Sequence, residues 1–265
     1  MMMPEIATIS AANDDQTARA YRAIRRMILD GGLPPGHRTS HRNLAEQLGV
    51  GRSPVRDAIM QLEAEGLVVQ RGQKGIMLRE LTLQEFSELY ELRLVMEPFF
   101  AERAAILASP VQVAAIGDSC DQLEAIAARP DCAAWMADDA NRRRAYRLDQ
   151  QLHTTILAAA GNAVAARIFS SAHIPTHVIA WACVHDGAPS AVDRLLAAAA
   201  EHRAISDAIR NRDPAAARER MRQHLLNAIP VVTAQYARAL EREADAAEQA
   251  AAKKAAAAVR RRKSS

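Results

Sequence analysis

Strand-forming patterns are almost missing from this sequence. Beyond Glu80 no stretch reads as a strand, and the residues repeat with the 3.6-residue period of amphipathic helices. Long apolar runs are missing as well. None approaches the roughly 18 residues that a membrane span needs, so no membrane association is expected. Met1–Asp15 has no basic start followed by an apolar core, so no signal peptide is expected and the expected compartment is the cytoplasm. Cysteine is scarce: Cys120, Cys132 and Cys183 are odd in number, widely spaced and without a Cys-x-x-Cys pair. They read as reduced, buried small hydrophobes. Strong charge imbalance is absent too. The net charge is +3, with 25% charged and 49% hydrophobic residues, ordinary values for a globular protein. Residues 1–80 and 241–265 are mildly basic and 81–240 mildly acidic. Charge alone therefore does not diagnose a nucleic-acid partner.

What is present begins with Arg42–Gly75. A short apolar-periodic segment ends at Gly49, which suits the left-handed residue that closes a helix. A second helix is expected to start with Ser53 as N-cap and Pro54 at its first position, because Ser53 can accept from an orphan N–H and Pro54 has none to satisfy. Val55, Ile59 and Leu62 then face a core, with Arg52 and Arg56 on the opposite side. Gly66 ends this helix. Leu67–Arg71 and Ile76–Arg79 read as paired strands around a turn at Gly72-Gln73-Lys74-Gly75. Gln16–Asp30, with Ala20, Ile24, Met27 and Ile28 on one face, supplies a first helix; Arg19, Arg22, Arg25 and Arg26 lie on its other flank. Two helices joined by a tight turn and followed by a hairpin make a winged helix-turn-helix.

The stretch Leu33-Pro34-Pro35-Gly36-His37-Arg38, followed by LAEQLGVGRSPVRDAIMQLEAEGLV, resembles the DNA-binding domain of GntR-family bacterial repressors. The resemblance implies that Arg42, Arg52, Ser53 and Arg56 meet double-stranded operator DNA in the major groove. It places Arg71, Gly72 and Lys74 of the wing at the minor groove. Two positions depart from the family pattern: Gly51 stands where Ser or Thr is usual, and His41 where an acid is common.

The rest divides into amphipathic segments at Leu83–Leu107, Pro110–Ala128, Asp131–Ala159, Ala163–Val184, Ser190–Asn211 and Pro214–Ala239. Gly, Pro or Asp stands at each break. Six helices on short connections predict an antiparallel bundle. The expected organisation is therefore mainly α: a disordered 1–15, a winged domain 16–80, a helical domain 81–239 and an Ala/Lys/Arg-rich tail 240–265. The tail is expected to continue the last helix and then fray.

The bundle carries polar residues on its apolar lines. Asp149 and His153 are four apart on one helix face, His202 shares a line with Ile205 and Ile209, and His224 with Met221 and Ala228. A single inward histidine is ordinarily a satisfied core residue. Three histidines and an aspartate on three helices are costly to bury without a shared partner, and suit a borderline divalent ion such as zinc, nickel or manganese. LDQQLHTTILAAAGN, EHRAISDAI and ARERMRQHLLNA resemble the FCD effector domain of the FadR-like branch of GntR repressors, in the shorter VanR-like form. The resemblance implies that Asp149, His153, His202 and His224 hold a metal. Leu152 stands where Phe is usual.

Arg93 lies on an inward line with Phe86, Leu89, Met96 and Phe100. One reading pairs it with Glu97, one turn on. In the other its planar fork grips a ligand carboxylate, which is the role the resemblance favours. His173 and His177 form a second four-apart pair around Pro175, a minor candidate for the same pocket. Together these expectations describe a homodimeric regulator, most simply a repressor, that responds to a small organic acid. The competing readings are a metal-dependent hydrolase-like bundle fused to a DNA reader, and a constitutive DNA binder with a purely structural metal.

Overall fold

The computed structural model describes residues 5–33, 37–72, 75–169, 176 and 189–263. Lys74, His173, Pro175, His177 and Cys183 lie outside them, as does most of the expected helix Ala163–Val184.

The first helix, α1, runs from Glu5 to Leu29, eleven residues ahead of the expected start. This corrects the reading of 1–15 as disordered for residues 5–15: Ala7, Ala11 and Ala12 are strong helix formers and favour a helix without any amphipathic period. Helix α2 (His41–Leu48) is capped by Ser40, whose hydroxyl accepts from the Asn43 N–H at 3.1 Å, and closes at Gly49 with φ 62°. Helix α3 (Arg52–Ala64) begins one residue before the expected cap. Its N-cap is Gly51, with no side-chain cap bond, so Ser53 is inside the first turn and does not cap. Extended backbone at Gly51 lets the helix start early, and Pro54 still sits where no intrahelical N–H is needed.

Strand β1 (Val68–Gln70) pairs antiparallel with β2 (Ile76–Leu78), Val69 opposite Met77, as the hairpin pattern predicts. Thr39 adds a bridge to Ile76, exchanging two bonds of 2.9 Å. Gly75 is required beside it. Its φ is 78°, and a Cβ there would lie 2.5 Å from the Thr39 carbonyl oxygen. Ala20, Ile24, Ile28, Leu44, Val55, Ile59, Leu62, Val68 and Ile76 close one core beneath these elements.

Among the described residues seven helices follow: α4 (Leu83–Leu107), α5 (Pro110–Ala127), α6 (Cys132–Ala137), α7 (Asp139–Ala159), α8 (residues 163–169), α9 (Pro189–Arg210) and α10 (Pro214–Lys263). Thr82 with Glu85 and Ser109 with Gln112 form capping boxes at α4 and α5. The single helix expected at Asp131–Ala159 is two. Asp138 is extended and its carboxylate accepts from the Asn141 N–H at 2.9 Å, so an N-cap interrupts an otherwise periodic stretch. Helix α10 does continue through the tail, as far as Lys263.

Helix α10 packs along the whole of α4, antiparallel to it: Phe86 meets Tyr236 near one end, with ring centroids 4.6 Å apart, and Glu102 meets Arg218 near the other. Helix α9 lies beside α10, and α5 bridges α7 and α9. Phe100, Leu152, Ile156, Ile205, Ile209, Met221 and Leu225 fill the core. Cys120 and Cys132 are buried free thiols. The connection from wing to bundle is clasped by α10, where the Tyr236 O–H donates to the Leu81 carbonyl at 2.5 Å.

Candidate metal and nucleic-acid sites

On the winged half, Arg52, Ser53 and Arg56 all stand exposed on the outer side of α3, because Val55, Ala58, Ile59 and Leu62 take the inner side. Arg42, on α2, faces the same shallow groove as Arg52, with Gly49 and Gly51 between them. Arg42 lies 3.8 Å from Glu46 and Arg56 3.7 Å from Asp57, contacts too solvated to hold either side chain in place. Arg71 and Gly72 are exposed at the wing, where the Arg71 N–H donates to the Gly75 carbonyl. Arg42, Arg52, Ser53, Arg56, Arg71 and Gly72 are thus each exposed, and Arg42 and Arg52 share one groove.

The bundle brings its polar candidates together in the opposite setting. Helix α7 presents Asp149 and His153, α9 presents His202 and α10 presents His224. The three histidines are buried. Donor atoms from all three lie within 4.8 Å of one another, and their ring centroids are 4.5–5.3 Å apart. The Nε2 atoms of His202 and His224 are 3.3 Å apart, and Asp149 Oδ1 is 3.4 Å from His202 Nε2. Zinc–ligand bonds of about 2.0–2.1 Å at tetrahedral angles put donor atoms about 3.3–3.4 Å apart, so these spacings fit such an ion.

Two carboxylates that sequence reasoning did not assign to the cluster orient its rings. Glu97 on α4 accepts from His153 Nδ1 at 2.5 Å, and Glu201 on α9 accepts from His224 Nδ1 at 2.8 Å. Each contact holds the Nδ1–H tautomer and turns the Nε2 lone pair inward, the second-layer arrangement typical of metal-bound imidazoles. Arg194 Nη2 is also 3.3 Å from His224 Nδ1. The shorter bond to Glu201 decides the tautomer, because a carboxylate can only accept, while Arg194 directs Nη1 and Nη2 to the same carboxylate at 3.3 and 2.8 Å.

Burial, then the neighbouring His224, pushes the His202 pKa well below its ordinary value; Asp149 opposes the shift without reversing it. Burial likewise lowers His224, against an upward pull from Glu201. Both imidazoles are thus kept in the neutral form that ligates a metal. Burial works against the charge on Glu201, but hydrogen bonds from His224, Arg194 and Asn227 outweigh it and hold that carboxyl at about 2.

A cavity of about 90 Å³ opens beside the cluster, lined by Asp149, His153 and His224 together with Arg93, Arg194, Tyr90 and Gln235 and by an apolar wall that includes Leu195, Ala198, Leu225 and Val232. Arg93 makes the ion pair with Glu97. Its Nε donates to Glu97 at 2.5 Å, and the guanidinium lies 4.8 Å from the centre of the Tyr90 ring. Its two Nη groups make no hydrogen bond to any described residue. Burial opposes the Arg93 charge, and Glu97 more than offsets it, raising the pKa. Glu201, Arg194, Tyr90 and Gln235 carry no local sequence signal for this site. Glu97 did, one turn from Arg93, but its reach across to His153 on a distant helix is a tertiary fact.

Comparison with known proteins places both halves. Residues 88–227, more than half of the chain, match the FCD domain, and residues 16–78 match the bacterial regulatory proteins of the gntR family. An Agrobacterium vitis protein described as an HTH-type transcriptional regulator in the TAR-I ttuE-ttuC' intergenic region is 31% identical over 161 residues, 60% of this chain and 88% of that one. The Escherichia coli HTH-type transcriptional repressor GlaR is 28% identical over 219 residues, 80% of this chain and 93% of its own. Among solved structures, Escherichia coli McbR/YncC superposes with a TM-score of 0.65 at 17% identity, covering 83% of this chain and 98% of that one. A putative GntR transcriptional regulator from Rhodococcus sp. RHA1 reaches 0.62 at 20% identity, covering 82% and 97%. At these identities the two structures share the fold.

Proposed function

We propose that this chain, which belongs to the GntR family of bacterial transcriptional regulators and carries an FCD effector domain, is a metal-dependent repressor released or tightened by a small organic acid. One observation carries the reading. His153, His202 and His224 converge at ligand spacing, with Asp149 3.4 Å from His202, beside a cavity into which a buried arginine, Arg93, brings Nη donors that no described residue uses. Zinc, nickel or manganese would be held by those four side chains. Bound there, the ion supplies positive charge and open coordination positions to an effector carboxylate, and the Arg93 fork grips the same group. Glu97 and Glu201 keep the rings aimed, and the apolar wall excludes water. The word repressor in the names of relatives such as GlaR supports the direction of control.

Two links join the cavity to the winged half. Helix α7, which carries Asp149 and His153 inward, carries Arg147 outward, 3.3 Å from Asp30 just beyond α1. Helix α10 lines the cavity with Gln235 and, one residue later, clasps the interdomain connection through Tyr236. An effector that shifts either helix shifts the placement of the DNA-reading surface. A second copy of the chain completes the reading, since two winged domains on one operator double the base contacts. Leu92, Val95, Phe99 and Ile106 form an outer stripe on α4, exposed by 38–74%, which suits burial against another subunit. No described helix is long and apolar enough to cross a membrane.

The testing experiment measures bound metal on purified full-length protein and operator affinity with and without small carboxylic acids. The expected result is one divalent ion per chain, with an acid that changes operator affinity by about 5-fold or more. Protein that takes up no zinc, nickel or manganese, in a preparation never exposed to chelator, overturns it. Sedimentation of the same sample should show a dimer, and Val95→Asp should shift it toward monomer.

A further inference from the structure

The cavity beside the histidines has two unlike ends. His224, Ala228, Val232 and Gln235 occupy one face of α10 and all line it. Eleven residues of helix rise about 16 Å, so the cavity runs lengthwise along α10 with the cluster at one end and Gln235 at the other. Its ionised lining groups all belong to the cluster end: Asp149 reaches His202, Arg194 reaches His224, and Arg93 is tied to Glu97, which itself touches His153.

At the far end stands Gln235, while Tyr90, whose ring lies 4.8 Å from the Arg93 guanidinium, stands nearer the cluster. The Phe86 ring centroid is 4.9 Å from Tyr90 and 4.6 Å from Tyr236, the residue after Gln235. The Gln235 and Tyr90 side chains are both buried, and neither makes a hydrogen bond to another described residue. Burial raises the Tyr90 pKa, so its phenol stays neutral. No lining cation is paired with Gln235, so a second buried carboxylate there would have to draw on Arg93, which is already tied to Glu97. A bare alkyl tail would leave the Gln235 amide unsatisfied.

We infer that the effector is an elongated monocarboxylate whose other end carries a neutral hydrogen-bonding group, a hydroxyl or carbonyl, positioned by Gln235. This rests on the effector-site reading above and adds the chemistry of the ligand's second end. Size limits it further. At about 10–15 Å³ of such space per water, the cavity holds roughly six to nine waters, and an effector of about that many non-hydrogen atoms replaces them.

The test is calorimetric binding to zinc-loaded full-length protein with three straight-chain probes: pentanoate, 5-hydroxypentanoate and glutarate, at one pH and ionic strength. Wild type should bind 5-hydroxypentanoate about 10-fold or more tighter than either of the others, because a site built around a hydrogen bond rejects analogues that lack it. Gln235→Leu should bring the hydroxyl and alkyl probes within about 3-fold of each other. Gln235→Lys, which places a cation at the far end, should move the preference toward glutarate. Glutarate binding tightest to wild type overturns the inference, and so does a hydroxyl preference that survives in Gln235→Leu. Protein that takes up no zinc defeats the effector-site reading itself. Protein that takes up zinc and binds the probes in another order, or binds none, defeats this inference and leaves the metal site standing.

Discussion

The winged half and the bundle treat charge in opposite ways. On the winged half the cations proposed to meet DNA stand in water: the Arg42 and Arg56 side chains are 66% and 65% exposed, and each has only a loose carboxylate neighbour. In the bundle, Arg93, Glu97, His153, His202 and His224 are buried and held by one another through short contacts. Each arrangement suits the partner proposed for it. Phosphates and base edges arrive at a surface, so their donors stay unspent until DNA is bound. A small effector leaves water to bind, so its partners are fixed beforehand in a medium where attraction is strong and an unpaired group is costly. A change on the winged half should therefore alter binding and spare the fold. A change in the bundle should alter both.

The largest expected effect is on stability. Arg93→Ala removes the guanidinium paired with the buried Glu97 and should destabilise the bundle by about 3–5 kcal/mol. Arg93→Lys keeps the charge and loses the fork, so it should melt near wild type yet bind effector acids weakly. Equal melting temperatures for wild type and Arg93→Ala would remove the contrast between the halves. Next comes His202→Ala, which should weaken zinc by about 100-fold or more, beyond the loss usual for an outer partner. Operator affinity of the metal-free proteins should agree within about 2-fold, read by fluorescence anisotropy. A parallel collapse in operator binding would show the winged half to depend on the bundle's metal.

On the winged half, Arg56→Ala should cost about 1–3 kcal/mol in operator affinity, concentrated at one base position per half-site, with an unchanged melting temperature. Uniform weakening across all sequences would make Arg56 a phosphate contact. Acid should separate the halves again. His202 and His224 have folded-state pKa values below that of the unfolded chain. Their contribution is present in full above about pH 6.5 and is lost as pH falls below it, each tenfold difference in proton affinity between the folded and unfolded chain being worth about 1.4 kcal/mol. Asp149 and Glu201 pull these pKa values up, while His153 and Arg194 push them down, so the loss is spread over the window below pH 6.5. Glu201, held at about 2, adds its own loss as pH falls from 4.5 toward 2. Metal-free protein should melt progressively lower from pH 7 to pH 5, with the loss in bundle signals. A melting temperature flat across that range would defeat the argument.

How much of this was legible depends on whether a signal is local. Helix stops at Gly49 and Gly66, the strand pair around Gly72 and the core line Val55–Ile59–Leu62 are short-range patterns, and all are found. The four cluster residues were legible because their helical spacing put polar groups on apolar lines. Periodicity ran across Asp138, because a cap that splits a helix leaves the apolar count undisturbed. It passed over Glu201 as well, which is adjacent to His202 and off its line, and which reaches His224 only because α9 and α10 pack side by side. Gln235 carries no pattern of its own, and its cavity position follows from the face that α10 turns toward α4.

The smallest expected effect tests the finest of these differences. Ser40 and Ser53 both stand at the start of a helix of the winged half, and the sequence pattern pointed to Ser53 as a cap. Only Ser40 caps: its hydroxyl accepts from the Asn43 N–H, whereas α3 is capped at Gly51 without a side chain and Ser53 lies in the first turn, exposed. Ser40→Ala should therefore cost about 1 kcal/mol of stability. Ser53→Ala removes no such bond, puts the better helix former inside a helix, and should change stability by less than about 0.5 kcal/mol, as surface substitutions do. Its effect should appear instead on the operator, because Ser53 shares the exposed side of α3 with Arg52 and Arg56. Chemical denaturation of the two variants, followed by operator titration, separates the outcomes. A loss of about 1 kcal/mol or more from Ser53→Ala would restore Ser53 as a cap in solution. Unchanged stability with weaker operator binding would mark it as part of the reading surface, where charge and hydroxyl alike wait for the duplex.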